Sequence, residues 1–266
     1  MSYGLLKGKK GIITGALDEN SIAWHVAVRA HEEGAQLLLT NAPVALRLGR
    51  PKALAEQLNA PLVPADLTQV SDIANLYDEA LRHFGGPIDF LLHSVGMSPN
   101  VRKGKPYTDL DYDLFQKTLD VSAISFHKLL SIGRQKAALA RGGSIVALSY
   151  IAAQRVFPKY SDMSDAKALL ESIARMFGYF LGKELGIRVN IVSQSPTPTT
   201  AGTGIEGFQS MYDYANKMSP LGNASAEACA DFIVVLFSDL TRAVTMQTLY
   251  HDGGFSAMGV AEELLK

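Results

Sequence analysis

A single cysteine, Cys229, among 266 residues leaves no partner for an intrachain disulfide, so the fold cannot rest on a disulfide framework. No apolar stretch near the N-terminus is long enough for a signal peptide, and these two absences together point to a reducing, cytoplasmic setting. The longest purely apolar run, Phe232 to Phe237, is far too short to span a bilayer. An excess of either charge is also missing. The 25 Lys and Arg stand against 26 Asp and Glu, a balance that supplies no electrostatic footprint for nucleic acid or an anionic membrane. Internal repeats, low-complexity tracts and dividing linkers are absent. His31-Glu32-Glu33 is not a zinc-protease helix, because position 35 is Ala where the second His would stand, and no other cluster has metal-ligand spacing. Cys229, among Ala226, Ala230, Phe232 and Ile233, reads as a buried, inert thiol, and Trp24 reads as packing.

What is present is a chain with 47% hydrophobic residues, in which short apolar runs alternate with longer amphipathic ones. Residues 11–14, 35–40, 62–63, 88–93, 144–149, 187–192 and 247–250 read as strands. Helical patterns lie near 21–33, 51–59, 70–84, 111–139, 160–185 and 225–237. Strands this short and apolar have no wet face, so the order implies a parallel sheet covered on both sides. The expectation is one α/β domain over 1–266, doubly wound and Rossmann-type, with about seven parallel strands. The stretch 195–222, rich in Pro, Thr, Gly and Ser, interrupts the pattern. Ile205, Phe208, Met211, Tyr212 and Ala215 follow at near-helical spacing and give it an apolar face, so residues 195–218 are predicted to form a small substrate-binding lid.

After the first strand, Thr14-Gly15-Ala16-Leu17-Asp18-Glu19-Asn20-Ser21-Ile22-Ala23 opens a helix. In doubly wound sheets ligands sit at the carboxyl ends of strands, where a helix N-terminus offers unpaired N–H groups to a diphosphate. Gly15 lets the backbone turn closely, and Ser21 suits either an N-cap or a phosphate donor. The G-x-G-x-x-G spacing is missing, so position in the first crossover carries the reading. The second strand ends Thr40-Asn41-Ala42-Pro43 without the acid that usually holds an adenosine ribose, and Arg47, Arg50 and Lys52 follow. They suit a 2′-phosphate or a solvated surface, which leaves NADH and NADPH both open. Asp66 and Leu67 suit adenine, with a helix N-cap as the alternative for Asp66.

A helix beginning at Tyr160 places Lys167 two turns on, nearly on the same face, so that a phenol and an ammonium flank one ligand. Beside a buried cation the phenol pKa is expected to fall, favouring proton donation to an oxyanion. Tyr150, at the end of the fifth strand, brings a second phenol to that edge. Tyr179 and Lys183 have the spacing of the commoner short-chain dehydrogenase pair but fall deep in the same helix, at its exit, and read as packing.

With these motifs in view the chain resembles the enoyl-acyl-carrier-protein reductases of bacterial fatty-acid synthesis, a divergent branch of the short-chain dehydrogenase/reductase superfamily. The resemblance rests on Gly15-x5-Ser21-Ile22-Ala23, His93-Ser94-Val95-Gly96, Asp120-Val121-Ser122, Ser149-Tyr150, Tyr160-x6-Lys167, Arg188-Val189-Asn190 and His251-Asp252-Gly253-Gly254-Phe255, in order. It implies that Tyr160 donates to a thioester enolate and that Lys167 holds the nicotinamide ribose. It further implies cofactor contacts at Gly15, Ser21, Ile22, Asp66, Leu67, Ser94, Val95, Gly96, Thr197 and Thr199. A pocket for the acyl chain is implied at Met97, Tyr150, Tyr160, Met163 and Phe208. An NADH cofactor, an acyl-carrier-protein partner and a homotetramer packed through the last strand, residues 225–237 and the long helices follow from the same resemblance. The chain departs from the family at Ser195-Pro196-Thr197-Pro198-Thr199, where Gly-Pro-Ile-Arg-Thr is usual. Two other functions remain open at this level: a carbonyl reductase or alcohol dehydrogenase of the same superfamily, and a dinucleotide sensor without turnover. The i+7 spacing and Tyr150 weigh against the first, and intact Tyr160 and Lys167 against the second.

Overall fold

The structure, a computed structural model, describes residues 2–47, 50–200 and 202–265. Among these residues seven strands form one parallel sheet: β1 (Lys10–Thr14), β2 (Gln36–Asn41), β3 (Leu62–Pro64), β4 (Ile88–His93), β5 (Leu139–Ser149), β6 (Arg188–Gln194) and β7 (Thr248–His251). Their order is β3-β2-β1-β4-β5-β6-β7, so the winding reverses between β1 and β4, where ligands of this architecture bind.

Helices α1 (Ile22–Glu32), α2 (Pro43–Leu46), α3 (Arg50–Gln57), α4 (Val70–Phe84) and α5 (Pro99–Arg102) lie in the first half of the chain. They are followed by α6 (Tyr112–Leu119), α7 (Ser125–Gln135), α8 (Met163–Leu185), α9 (Phe208–Met218) and α10 (Ala226–Phe237). Strand residues alternate between two cores, as a period of two requires. Ile12, Leu38, Leu91, Ile145 and Val189 point towards α4, α7 and α8, meeting Leu76, Tyr77, Phe126, Leu130 and Ile173. Ile13, Leu39, Leu92, Val146 and Val192 point to the opposite side, meeting Trp24, Val26, Leu54, Ile233 and Phe237. Each such fully buried side chain contributes roughly 1.5–3 kcal/mol.

Three local expectations are corrected. The helix read over 111–139 is two helices joined by a π turn at Asp120–Ile124, and β5 starts earlier than predicted, with irregular pairing between Ile88 and Phe90. Within the chain, Cys229, Ile233 and Val234 of α10 are buried in the core shared with α1. Tyr179 is not packed within the chain: it is 52% exposed, edge-to-face with the equally open Phe180, because α8 turns this side away from the sheet. Lys183 is exposed as well. Cys229 conforms to expectation, its thiol pushed up to about 12 by burial.

Candidate active site

The carboxyl ends of the strands open onto a cleft of about 1200 Å³. Pockets for one drug-sized ligand occupy about 300–1,000 Å³, so the cleft has room for two. At its nucleotide end Gly15 has φ +84°, and a Cβ there would stand 2.0 Å from the Ser94 carbonyl oxygen. Only glycine lets the loop after β1 pass the loop after β4 so closely. The Ser94 N–H also donates to Thr14 Oγ1 at 3.1 Å. Ser21 shapes the same loop: its hydroxyl donates to the Asp18 carbonyl at 2.7 Å and accepts the Leu17 N–H at 3.2 Å, with no side-chain cap on α1. Gly15, Ser21 and Ile22 therefore line the cleft at a helix start whose first amides remain available.

Further along, Asp66 and Leu67 form the opposite wall. Asp66 Oδ1 accepts from the Thr68 N–H and hydroxyl at 2.9 and 2.8 Å, an Asx turn, while Gln69 occupies the N-cap position of α4. Lys128 fixes this turn from α7 by donating to the Thr68 carbonyl at 2.8 Å and to Asp120 at 2.7 Å. Thr40, Asn41 and Ala42 complete the wall at the end of β2. The exposed Arg47, Arg50 and Lys52 are not among the lining residues, and Arg50 pairs with Glu19 at 2.8 Å.

At the reactive end Tyr150 and Tyr160 lie with ring centroids 5.1 Å apart. Tyr160 does not begin α8. It closes a 3-10 turn, Pro158–Tyr160, and the helix starts at Met163, because Ser161 takes φ +46° and ψ −134°, which no helix tolerates. Lys167 is buried and donates to the Leu148 carbonyl at 2.8 Å. Burial lowers its pKa to about 8, and the charge of Glu171 opposes that fall. The pKa of Tyr160 does not fall as expected but rises, since the apolar surroundings penalise the phenolate. Tyr150 shifts the same way, chiefly by burial, then through Tyr160 and Asp252; among the described residues its buried hydroxyl has no partner. Both phenols are thus held protonated, able to donate to an oxygen arriving in the cleft.

Gly96 lines the cleft beside Lys167: a Cβ there would lie 3.7 Å from Lys167 Nζ and 3.8 Å from Ser122 Oγ. Ser94 and Val95, which precede this glycine, also line the cleft. Met97, Met163 and Phe208 supply apolar wall beside the phenols. Thr197 and Thr199 reach the cleft as expected, although both hydroxyls have internal partners. Thr197 donates to the Ser195 carbonyl at 3.0 Å, and Thr199 accepts the Gly202 N–H at 2.9 Å.

This geometry has counterparts among known proteins. The family model described as enoyl-(acyl carrier protein) reductase matches residues 15–256. The chain belongs to that family. The NADH-type enoyl-acyl-carrier-protein reductase FabI of Rickettsia felis is 38% identical over 263 residues, covering 97% of this chain and 98% of the relative. That of Aquifex aeolicus is 36% identical over 261 residues, covering 97% and 94%. Among solved structures, the FabI–NADH complex of Alistipes finegoldii superposes with a TM-score of 0.96 at 63% identity, covering 97% of this chain and 92% of that one.

Within this member of the family, two polar residues at the site escape a reading of motifs. Ser122 lies in one of the motifs above, but spacing assigns it no task; the π turn aims its hydroxyl at Met97, where it accepts the N–H at 3.0 Å. π turns recur at functional sites because they redirect one side chain of an otherwise regular helix. Asp18 accepts from the Thr200 hydroxyl, tying the base of the lid segment to the nucleotide loop. Nothing in local spacing signals a contact across 182 positions.

Proposed function

We propose that the protein reduces the 2,3 double bond of trans-2-enoyl-acyl-carrier-protein thioesters with NADH, completing a cycle of fatty-acid elongation. The observation that carries this reading is the convergence of Tyr150, Tyr160 and Lys167 on one end of a cleft whose other end is a helix start crossed by Gly15. The residues present fit a dinucleotide. A Cβ at Gly96 would touch Lys167 Nζ, so glycine leaves that ammonium uncovered, and the Asp66–Thr68 turn and open α1 amides suit the adenosine and diphosphate. The bound dihydronicotinamide supplies a hydride for the β carbon of the thioester.

The chain's own groups do the rest. Tyr160 donates from its protonated phenol to the thioester oxygen, where negative charge develops, and the low-dielectric wall strengthens that bond. Lys167, anchored through the Leu148 carbonyl, presents its remaining N–H donors to ribose hydroxyls. Tyr150, with an unpartnered hydroxyl in apolar surroundings, borders the acyl chain beside Met97, Met163 and Phe208. Residues 195–218 act as the lid of this single domain, α9 bringing Phe208 and Met211 over the site; Ala201 lies outside the described residues. NADH is favoured over NADPH because Arg50 is engaged with Glu19 and neither Arg47 nor Lys52 lines the cleft.

The family also suggests an acyl-carrier-protein partner, a cytoplasmic setting and a homotetramer, for which the exposed Tyr179 and Phe180 side of α8 offers one subunit contact beside the last strand and α10. Among the described residues no helix is long and apolar enough to cross a membrane. The test is NADH absorbance with a crotonyl thioester, a simple ketone and an aldehyde as parallel substrates. Consumption with the thioester alone supports the reading; consumption with the carbonyl compounds alone overturns it.

A further inference from the structure

We infer that Asp162, which no motif singles out, is a positioning residue that sets the place of the Tyr160 phenol, an inference that rests on the reductase reading above. Asp162 is completely buried and stands two residues beyond Tyr160, at the N-cap position of α8. An aspartate there ordinarily accepts from the first amides of its own helix, yet Asp162 makes no such bond. Its carboxylate is committed elsewhere. Oδ1 accepts the Ser98 hydroxyl at 2.6 Å, and Oδ2 accepts the Asn100 amide at 3.0 Å. The Thr118 hydroxyl lies 2.9 Å from Oδ2 and 2.9 Å from the Leu114 carbonyl, its one proton shared between them.

These donors come from the segments that wall the acyl end of the cleft. Ser98 is the N-cap of α5 and accepts the Val101 N–H at 3.0 Å. Asn100 bridges to Asp111, the N-cap of α6, by donating to its carbonyl and accepting its N–H at 3.0 and 3.2 Å. Val101, Met163 and Ala166 form a small apolar cluster beneath them, against which Tyr160, Leu119 and Ile205 pack. One carboxylate thus joins α5, α6 and the start of α8 around the phenol.

Between Tyr160 and Asp162 sits Ser161, a non-glycine residue at φ +46°. Backbone strain of this kind persists only where the surroundings over-determine the conformation. The bonds of Asp162 supply that constraint on one side, and on the other the Tyr150 ring, itself packed against Phe157, holds the Tyr160 ring. Relaxing Ser161 would swing the Tyr160 turn relative to Lys167, which sits on the regular part of α8.

The test compares Asp162→Asn and Thr118→Val with the parental protein, using NADH and crotonyl thioester. The asparagine keeps size and shape, but in either orientation its amide meets a group that already donates, Ser98 or Asn100. Because misplacing a reacting group by about 1 Å costs on the order of 10²-fold, Asp162→Asn is expected to lower kcat by about 10- to 100-fold. The dissociation constant for NADH, titrated by fluorescence, should stay within about twofold, since Asp162 does not line the cleft. Thr118→Val removes only a shared bond, so a smaller fall of the same kind is expected, and it carries the test if the asparagine variant fails to fold. Rates are taken per NADH-binding site. Ser144→Ala, which deletes a remote buried bond to the Leu236 carbonyl, is the control for destabilisation alone and should keep the parental kcat. A parental kcat in the folded Asp162 and Thr118 variants, or a loss seen only as weaker NADH binding, overturns the inference. Inactivity of the parental protein towards the thioester would instead overturn the reductase reading, so the two failures are told apart.

Discussion

Replacing Lys167 by methionine separates what this side chain costs the fold from what it contributes to the site. The pKa of Lys167 falls from 10.5 to about 8 because burial penalises the ammonium. Between those values the unfolded chain holds a proton that the folded chain has released, so stability rises with pH across that window. Below about pH 8 the penalty is fully present, and a fall of that size corresponds to roughly 3 kcal/mol. The bond from Lys167 to the Leu148 carbonyl, 2.8 Å long, returns about 1–2 kcal/mol of it. Methionine removes both terms, so the cofactor-free variant should be more stable at neutral pH by about 1–2 kcal/mol, or about 2–8 °C in Tm. Above about pH 10.5 the advantage should vanish. NADH reverses the order. At a hundred times Kd it stabilises the parental protein by about 2.7 kcal/mol, whereas the variant, without the ammonium for the ribose, gains little. Thermal unfolding of both proteins across pH, with and without NADH, reads all of this. A variant less stable than the parent without NADH, or equally stabilised by it, would refute the reasoning.

Tyr160→Phe should lower kcat by about 10² to 10⁴ while leaving NADH affinity unchanged, as steady-state rates and a fluorescence titration will show. Gly15→Ala should abolish NADH binding and destabilise the fold by about 2 kcal/mol or more, since its Cβ would stand 2.0 Å from the Ser94 carbonyl at φ +84°. Denaturant unfolding and the same titration measure both effects. Amides in 197–200 and 202–217 should exchange quickly in the free protein and slowly once cofactor and an acyl ligand are bound, measured by hydrogen exchange; equal protection would mark a fixed insert.

The parts of the molecule governed by period and order are legible in the sequence. Ile12 and Ile13, or Leu38 and Leu39, announce a strand buried on both faces, and the β-α alternation gives a doubly wound parallel sheet, while its strand order is seen only in the structure. Gly15 and Tyr150 are legible because each follows the carboxyl end of a strand, Tyr160 and Lys167 through their spacing, and Ser94 and Gly96 only through the family resemblance; all six line the cleft. Properties set by three-dimensional neighbours are not legible. Helical spacing from Tyr160 to Lys167 gives no warning that Ser161 breaks the helix, nor that burial outweighs the nearby ammonium in setting the phenol's pKa. The apolar pattern of α10 does not tell that Ile233 and Phe237 pack in the core shared with α1. Asp162 looks like any helix-start aspartate; its partners lie 44 to 64 positions away.

The most direct measurement is turnover of NADH with a trans-2-enoyl thioester in deuterated water, with mass analysis of the product. The expected product is a saturated thioester formed in step with NADH consumption, carrying one deuterium at the α carbon from solvent and none at the β carbon, which receives its hydrogen from the cofactor. Unchanged enoyl thioester, or a product reduced at the carbonyl, would contradict the assigned reaction.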